Sequence, residues 1–237
     1  TDPLRFFEVG RAYIPNIDPA KLPEEKILLT GVLSGTRLNE TWLANSNQFD
    51  FFDGKGLIES LFSKLNIPIS FNKHKTPITN PSKTASLITN NQKIGFLGEL
   101  SNNILQFFEL PYNQNVILFE LDIDQISALQ LEQSNTIYVL KSRFPTANRD
   151  LSFIIDQNVF SQSITDILES HNLVVSALPI DIYEGTELPL GKKAITFRIR
   201  FQSPTETLKT EEINNIQNLL VQKLASEFNA ELRELNP

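Results

Sequence analysis

Cysteine and methionine are both missing from the 237 residues, tryptophan occurs once and histidine twice. Without thiols the chain has no disulfide, no thiolate zinc site and no cysteine nucleophile. His74 and His171 stand far apart with no cysteine to join them, so they make no metal motif. His74, between Lys73 and Lys75, reads as a solvated loop residue, and His171 as a helix-end residue at the negative end of the dipole. Also missing are any run of about 20 apolar residues able to cross a bilayer and any basic amino-terminal segment leading into an apolar stretch. The sequence therefore reads as that of a soluble protein. Asn39-Glu40-Thr41 has the form of a glycosylation sequon, but without other secretory signs it reads as accidental. An excess of positive charge is lacking too. Net charge is −7, with 12 basic against 15 acidic groups in residues 1–142 and 9 against 13 in residues 143–237. Phosphates are neutralised by Lys and Arg, so any nucleic-acid contact must come from a local patch. With no methionine and an opening inside the strand-like Leu4–Gly10, the chain reads as an excised piece of a longer protein.

What is present is enough for cores: 41 % of residues are hydrophobic, over a length that suits one large or two ordinary domains. The most informative stretch is Arg143-Phe-Pro-Thr-Ala-Asn-Arg149-Asp150-Leu-Ser-Phe-Ile-Ile-Asp156. Leu151, Phe153 and Ile155 alternate with their neighbours at the period of a half-buried strand, and Pro145 blocks helix upstream. Ser161 to His171 has helical spacing, with Ser161 or Ser163 as a candidate cap. Leu173–Glu184 and Lys192–Gln202 are strand-like across a turn holding two glycines and Pro189. Leu208–Phe228 repeats Ile213, Ile216, Leu219, Leu220, Leu224 and Phe228 on one helical face, with Thr207 or Thr210 before Glu211 and Glu212 as a capped start. Ala230–Leu235 is a last short strand. Strand, helix, strand, strand, helix, strand is the split βαβ order of a ferredoxin-like sandwich.

Phe144–Phe153, Asp181-Ile-Tyr-Glu-Gly185, Leu190–Ile195, Thr207–Ile213 and Ala230-Glu-Leu-Arg233 follow one another at short, definite spacings. Together they resemble the ferredoxin-fold anticodon-binding domain that closes the beta subunit of bacterial phenylalanyl-tRNA synthetases. Two departures are visible: Ala194 where that family usually has Ser, and Lys209-Thr210 in place of its Thr-Asp.

The first half is mixed. Phe6–Ile14 and Ile27–Leu33 are strand-like, and Pro15, Pro19 and Pro23 keep the segment between them from being helix throughout. From Phe49 onward, Phe52, Leu57, Ile58, Leu61, Phe62 and Leu65 mark a helix that Pro68 stops. Thr84–Thr89, Lys93–Leu97 and Asn115–Asp122 are further strands, and Ser101 or Asn102 caps a helix through Phe108. Gly54-Lys55-Gly56 lacks the flanking residues of a phosphate loop and reads as turn or helix start. Asp122 and Asp124 read as a polar edge with Glu120, not as an acid–base pair. Residues 130–142 are the expected connection.

Phe6-Phe-Glu-Val-Gly-Arg11, Phe49–Gly56 and Ile94–Leu100 are similar to the catalytic-like core of the same beta subunits, which shares ancestry with class II synthetase active sites. The resemblance implies a test. An ATP site of that class needs glycines and an Arg, whereas Val116–Ile126 has Glu120, Asp122 and Gln125 there, and carboxylates repel a triphosphate. A degenerate site is expected, with no catalytic, cofactor-binding or metal residue in this chain.

The expected fold is therefore α+β: a class II synthetase-like antiparallel sheet domain with helices at residues 1–135, then a ferredoxin-like βαββαβ sandwich at residues 143–237. The resemblance implies a cytoplasmic protein that scaffolds a catalytic alpha subunit in an α2β2 heterotetramer and binds the anticodon region of phenylalanine tRNA. ATP and magnesium are expected only in the whole enzyme. Alternatives at this point are a stand-alone enzyme whose ferredoxin-like unit senses a ligand, and a structural subunit that never touches RNA. Strand alternation selects the RNA-facing residues. If Ile195, Phe197, Ile199 and Phe201 face the core, Thr196, Arg198 and Arg200 face out. Ile180 and Ile182 are expected inward, Asp181 and Tyr183 outward. An aromatic ring and two guanidinium groups suit unstacked bases and phosphates. Arg143, Arg149, Lys192 and Lys193 are next in line. The competing reading is that Arg198 and Arg200 merely pair with Asp181 or a nearby Glu.

Overall fold

The computed structural model describes residues 3–18, 20–37, 47–132 and 142–233. It divides the chain into two units, Thr1–Ile137 and Tyr138–Pro237. Asn39-Glu40-Thr41 and most of the expected connection lie outside the described residues.

In the first unit, β1 (Leu4–Ile14) pairs in unbroken antiparallel register with β2 (Glu24–Ser34). They join β3 (Ser70–Lys73), β4 (Thr79–Thr89), β5 (Gln92–Leu100) and β6 (Val116–Asp122) in an antiparallel six-stranded sheet of order β1-β2-β6-β5-β4-β3. Helix α1 (Phe51–Leu65) begins at a capping box: the Asp50 side chain accepts from Phe52 and Asp53 N–H, and Asp53 accepts from Asp50 N–H at 2.8 Å. Arg37 bridges both carboxylates at 2.9 Å each. The helix ends at Asn66 in the left-handed region, φ 58°, before Pro68.

Ile58 and Phe62 are fully buried against β5 and β6, and Gly54 brings the helix close, since a Cβ there would stand 2.6 Å from Ile117 Cγ2. Helix α2 (Asn102–Phe107) follows Ser101, which occupies the cap position but makes no side-chain cap bond. The apolar stripe of α1 is wider than its buried face, for Phe52 and Leu57 are exposed. Two elements escaped the sequence reading. Strand β3 is too short to show alternation. Helix α3 (Ile123–Glu132) hides behind an apolar strand, and buries Ile126 and Leu129. It takes in Asp124 and the first residues of the expected connection.

In the second unit, β7 (Ala147–Asp156), β8 (Val174–Tyr183), β9 (Lys192–Phe201) and β10 (Glu231–Arg233) form an antiparallel sheet of order β10-β7-β9-β8. Helices α4 (Ser161–Leu168) and α5 (Thr210–Phe228) cover one face. Phe153, Ile155, Phe197, Ile199 and Phe201 meet Ile164, Leu168, Ile213, Leu220 and Leu224 in one core. Leu219, placed on the buried face of α5 by its spacing, is instead exposed. The caps differ from expectation. Neither Ser161 nor Ser163 caps α4, whose cap position is Phe160. At α5 no threonine caps; Glu212 reaches back to accept from Lys209 N–H at 2.8 Å.

Candidate nucleic-acid interface

The register of β7, β8 and β9 decides what the uncovered face of the second sheet presents, because directly opposed residues share a face. Arg200 lies between Asn148 and Ser176, Arg198 between Asp150 and Leu178, Thr196 between Ser152 and Asp181, and Ala194 between Ile154 and Tyr183. Arg198 and Arg200 are exposed, as alternation requires with Phe197, Ile199 and Phe201 in the core.

The two arginines are not equivalent. Arg198 donates from Nε and Nη2 to the two carboxylate oxygens of Asp150 at 2.9 and 2.7 Å. These hydrogen bonds raise the Arg198 guanidinium and hold the Asp150 carboxyl below the ordinary carboxylate value. Arg200 has no hydrogen bond or ion pair among the described residues. Its neighbour Ser176 has a buried hydroxyl without a hydrogen-bond partner. Arg198 is thus paired, but with Asp150 on β7 and not with Asp181 or a Glu.

Tyr183 lies on this face but is half-buried. Arg233 of β10 sits 5.1 Å from its ring centroid and bridges Glu187 at 3.5 Å. A Cβ at Gly185 would meet the Tyr183 hydroxyl at 2.1 Å, so only glycine admits this packing of the turn on the ring. Ile180 and Ile182 are not core residues: they are 45 % and 59 % exposed. Ile182 still stands opposite Ile195 on the helix side of the sheet, but β8 is the edge strand, and Ile180 is the residue skipped at the register shift between Pro179 and Asp181.

The second group of cations is dispersed. Arg143 is exposed, ahead of β7. Arg149 pairs across to Ile199, which puts it on the helix-covered side, and its Nη1 donates to Asn148 O at 3.0 Å. Lys192 bridges Asp156 at 3.0 Å, and Lys193 donates to Gln157 O at 2.9 Å. Arg149 shares the parity of Leu151, so alternation alone would have removed it from the open face. Asp150 was missed because its partner is set by the β7–β9 register, which no local pattern reveals.

In the first unit, Val116–Ile126, expected to carry Glu120, Asp122 and Gln125 in place of an ATP site's glycines and Arg, is β6 and the start of α3. Glu120 lies between Thr30 and Phe96. Asp122 accepts from Gln125 N–H at 3.1 Å and Nε2 at 2.8 Å, and Lys26 Nζ is 3.5 Å away. Burial alone would raise the Asp122 carboxyl, but the Gln125 bonds and Lys26 together outweigh it and hold it low. Asp124 is in the first turn of α3 and accepts from Ile27 N–H at 2.9 Å, so it is not part of a strand edge.

The Gly54-Lys55-Gly56 segment is helix interior, with Lys55 paired to Glu59 and 4.8 Å from the Phe71 ring centroid. His74 lies in the loop after β3, as expected, but is not fully solvated. It is half-buried against Phe96, its Nε2 is 3.0 Å from Lys93 Nζ, and burial, then Lys93, lowers its pKa. His171 lies beyond α4, and its Nδ1 accepts from Leu173 N–H at 3.2 Å. No group of three metal-ligating side chains occurs among the described residues.

An open antiparallel sheet of order β10-β7-β9-β8 backed by two helices defines the second unit as a ferredoxin-like sandwich, and its uncovered face carries the arginines. The family model for the ferredoxin-fold anticodon binding domain matches residues 142–233, and that for the phenylalanyl tRNA synthetase beta chain CLM domain matches residues 1–123. The chain belongs to the phenylalanyl-tRNA synthetase beta chain family. Phenylalanine-tRNA ligase beta subunits of Dehalococcoides mccartyi (strain CBDB1) and Oceanobacillus iheyensis are 31 % and 30 % identical to it over 234 and 233 residues. That of Staphylococcus aureus (strain MRSA252) is 29 % identical over 216 residues, 90 % of this chain. The first two matches cover 98 % and 97 % of this chain but 28 % of each relative, so the chain spans little more than a quarter of their length.

Proposed function

We propose that this chain is a non-catalytic part of a phenylalanine-tRNA ligase, in which the second unit binds the anticodon region of phenylalanine tRNA through its open sheet face. The observation that carries this is Arg198 and Arg200 side by side on that face, exposed, in a unit otherwise rich in acid. Such a face offers charge to phosphates and planar cations to unstacked bases. Tyr183 contributes through the part of its ring left free by Arg233. Arg143 and Lys192 are secondary candidates. Arg149 and Lys193 are the weakest, since each pairs onto the helix-covered side.

The first unit, on this reading, packs against the catalytic alpha subunit of an α2β2 assembly in the cytoplasm. Support comes from β1, an edge strand whose Phe6, Phe7 and Val9 are 66 %, 77 % and 55 % exposed. A groove of about 590 Å³ between β1 and α1, floored by Leu29, Leu33 and Phe119, extends this apolar surface. ATP and magnesium act in the catalytic subunit. Here Asp122 and Gln125 satisfy each other at the start of α3, which leaves a triphosphate a carboxylate and no guanidinium. A filter-binding titration with phenylalanine tRNA and a mutated-anticodon control tests the reading. Weaker binding of the control is expected; equal binding of both RNAs would overturn it.

A further inference from the structure

Resting on that reading of the open face, we propose that Asp150 is a positioning residue for RNA. Its two-point hold on Arg198 makes that guanidinium a fixed shelf for one unpaired base, beside a phosphate contact at Arg200. The fork engages one edge of the guanidinium, through Nε and Nη2, and leaves Nη1 and the two planar faces for a ligand. The Arg198 side chain is 49 % accessible, so the shelf is reachable. On its other flank, at the same register, stands Leu178, 59 % exposed. An exposed Leu beside a fixed planar cation gives a base apolar contact and stacking together.

Two residues along β9, about 7 Å on, Arg200 is exposed and free among the described residues. The order along the strand is thus stacking cation, then phosphate cation. Asp150 itself is an anion in the middle of a face that meets a polyanion. By charge alone it opposes binding. It favours binding only by holding Arg198 in place, and this opposition of signs makes the proposal testable.

The test is tRNA binding by the intact protein carrying Asp150→Asn, measured against salt, with Arg198→Ala, Arg200→Ala and the Asp150→Asn/Arg198→Ala double variant alongside. Asparagine keeps the shape but has one acceptor oxygen, so the fork is lost while a negative charge is removed. Expected is affinity about five- to tenfold weaker, of the order of one stacking contact, with the salt slope unchanged. The double variant should be no weaker than Arg198→Ala alone. Unchanged or tighter binding by Asp150→Asn, with its melting temperature held, overturns the positioning role, as does a further loss in the double variant. The two readings fail separately. If Arg200→Ala also keeps wild-type affinity and salt slope, the RNA-binding face itself is wrong; if it weakens binding while Asp150→Asn does not, only the positioning role is lost.

Discussion

Neighbouring residues on β9 have opposite jobs, and single substitutions should separate them. Phe197 is fully buried among core side chains, so Phe197→Ala leaves a cavity and is expected to cost about 3–5 kcal/mol in denaturant unfolding. Arg198→Ala with Arg200→Ala removes exposed groups and should change stability by less than about 1 kcal/mol. The same double variant should weaken tRNA binding and flatten its salt dependence, read from log K against log salt. The ion pair also sets a pH signature. Hydrogen bonding to Arg198 depresses the folded pKa of Asp150, so the folded state favours its ionised form. The pair's contribution is complete above the unfolded carboxyl value of about 4 and is lost as pH falls through the lower folded value. Melting temperature followed from about pH 5 to pH 2 should therefore fall less steeply in Asp150→Asn than in wild type. Equal acid limbs would show that the pair does not persist in solution.

At the scale of elements, close approach of backbones governs the first unit. A Cβ on Gly95 would stand 2.0 Å from the carbonyl oxygen of Glu120, across the β5–β6 pairing. Backbone cannot yield as a side-chain end does, so Gly95→Ala should destabilise by about 1–3 kcal/mol or more, with chemical denaturation as the measure. The β6–α3 junction is built around Asp122, which accepts from Gln125 in the first turn of the helix. Titration calorimetry with ATP and magnesium is expected to give no saturable heat at micromolar nucleotide; such a heat would mean that the junction opens to ligand.

At the scale of the molecule, each unit has its own hydrophobic core, one around Ile58, Phe62 and Leu97, the other around Phe153, Phe197 and Leu220. Calorimetric unfolding should accordingly show Gly95→Ala lowering one transition and Phe197→Ala another; a single transition lowered by both would refute independent cores. Sequence alone determined much of this. Period-two alternation in β7 and β9, helical spacing in α1, α4 and α5, and the order of the last six elements specified a ferredoxin-like unit, because each signal is local and each buried face is narrow. It also singled out Arg198 and Arg200, since alternation on a central strand assigns faces without reference to partners. Tertiary structure decided the rest. The shift at Pro179 left Ile180 without a cross-strand partner, the edge position of β8 left Ile182 exposed, the β7–β9 register gave Arg198 to Asp150 and left Arg200 unpaired among the described residues, and Arg233 covered part of Tyr183. These depend on pairings between residues on different strands, where a shift of one residue turns a side chain to the other face.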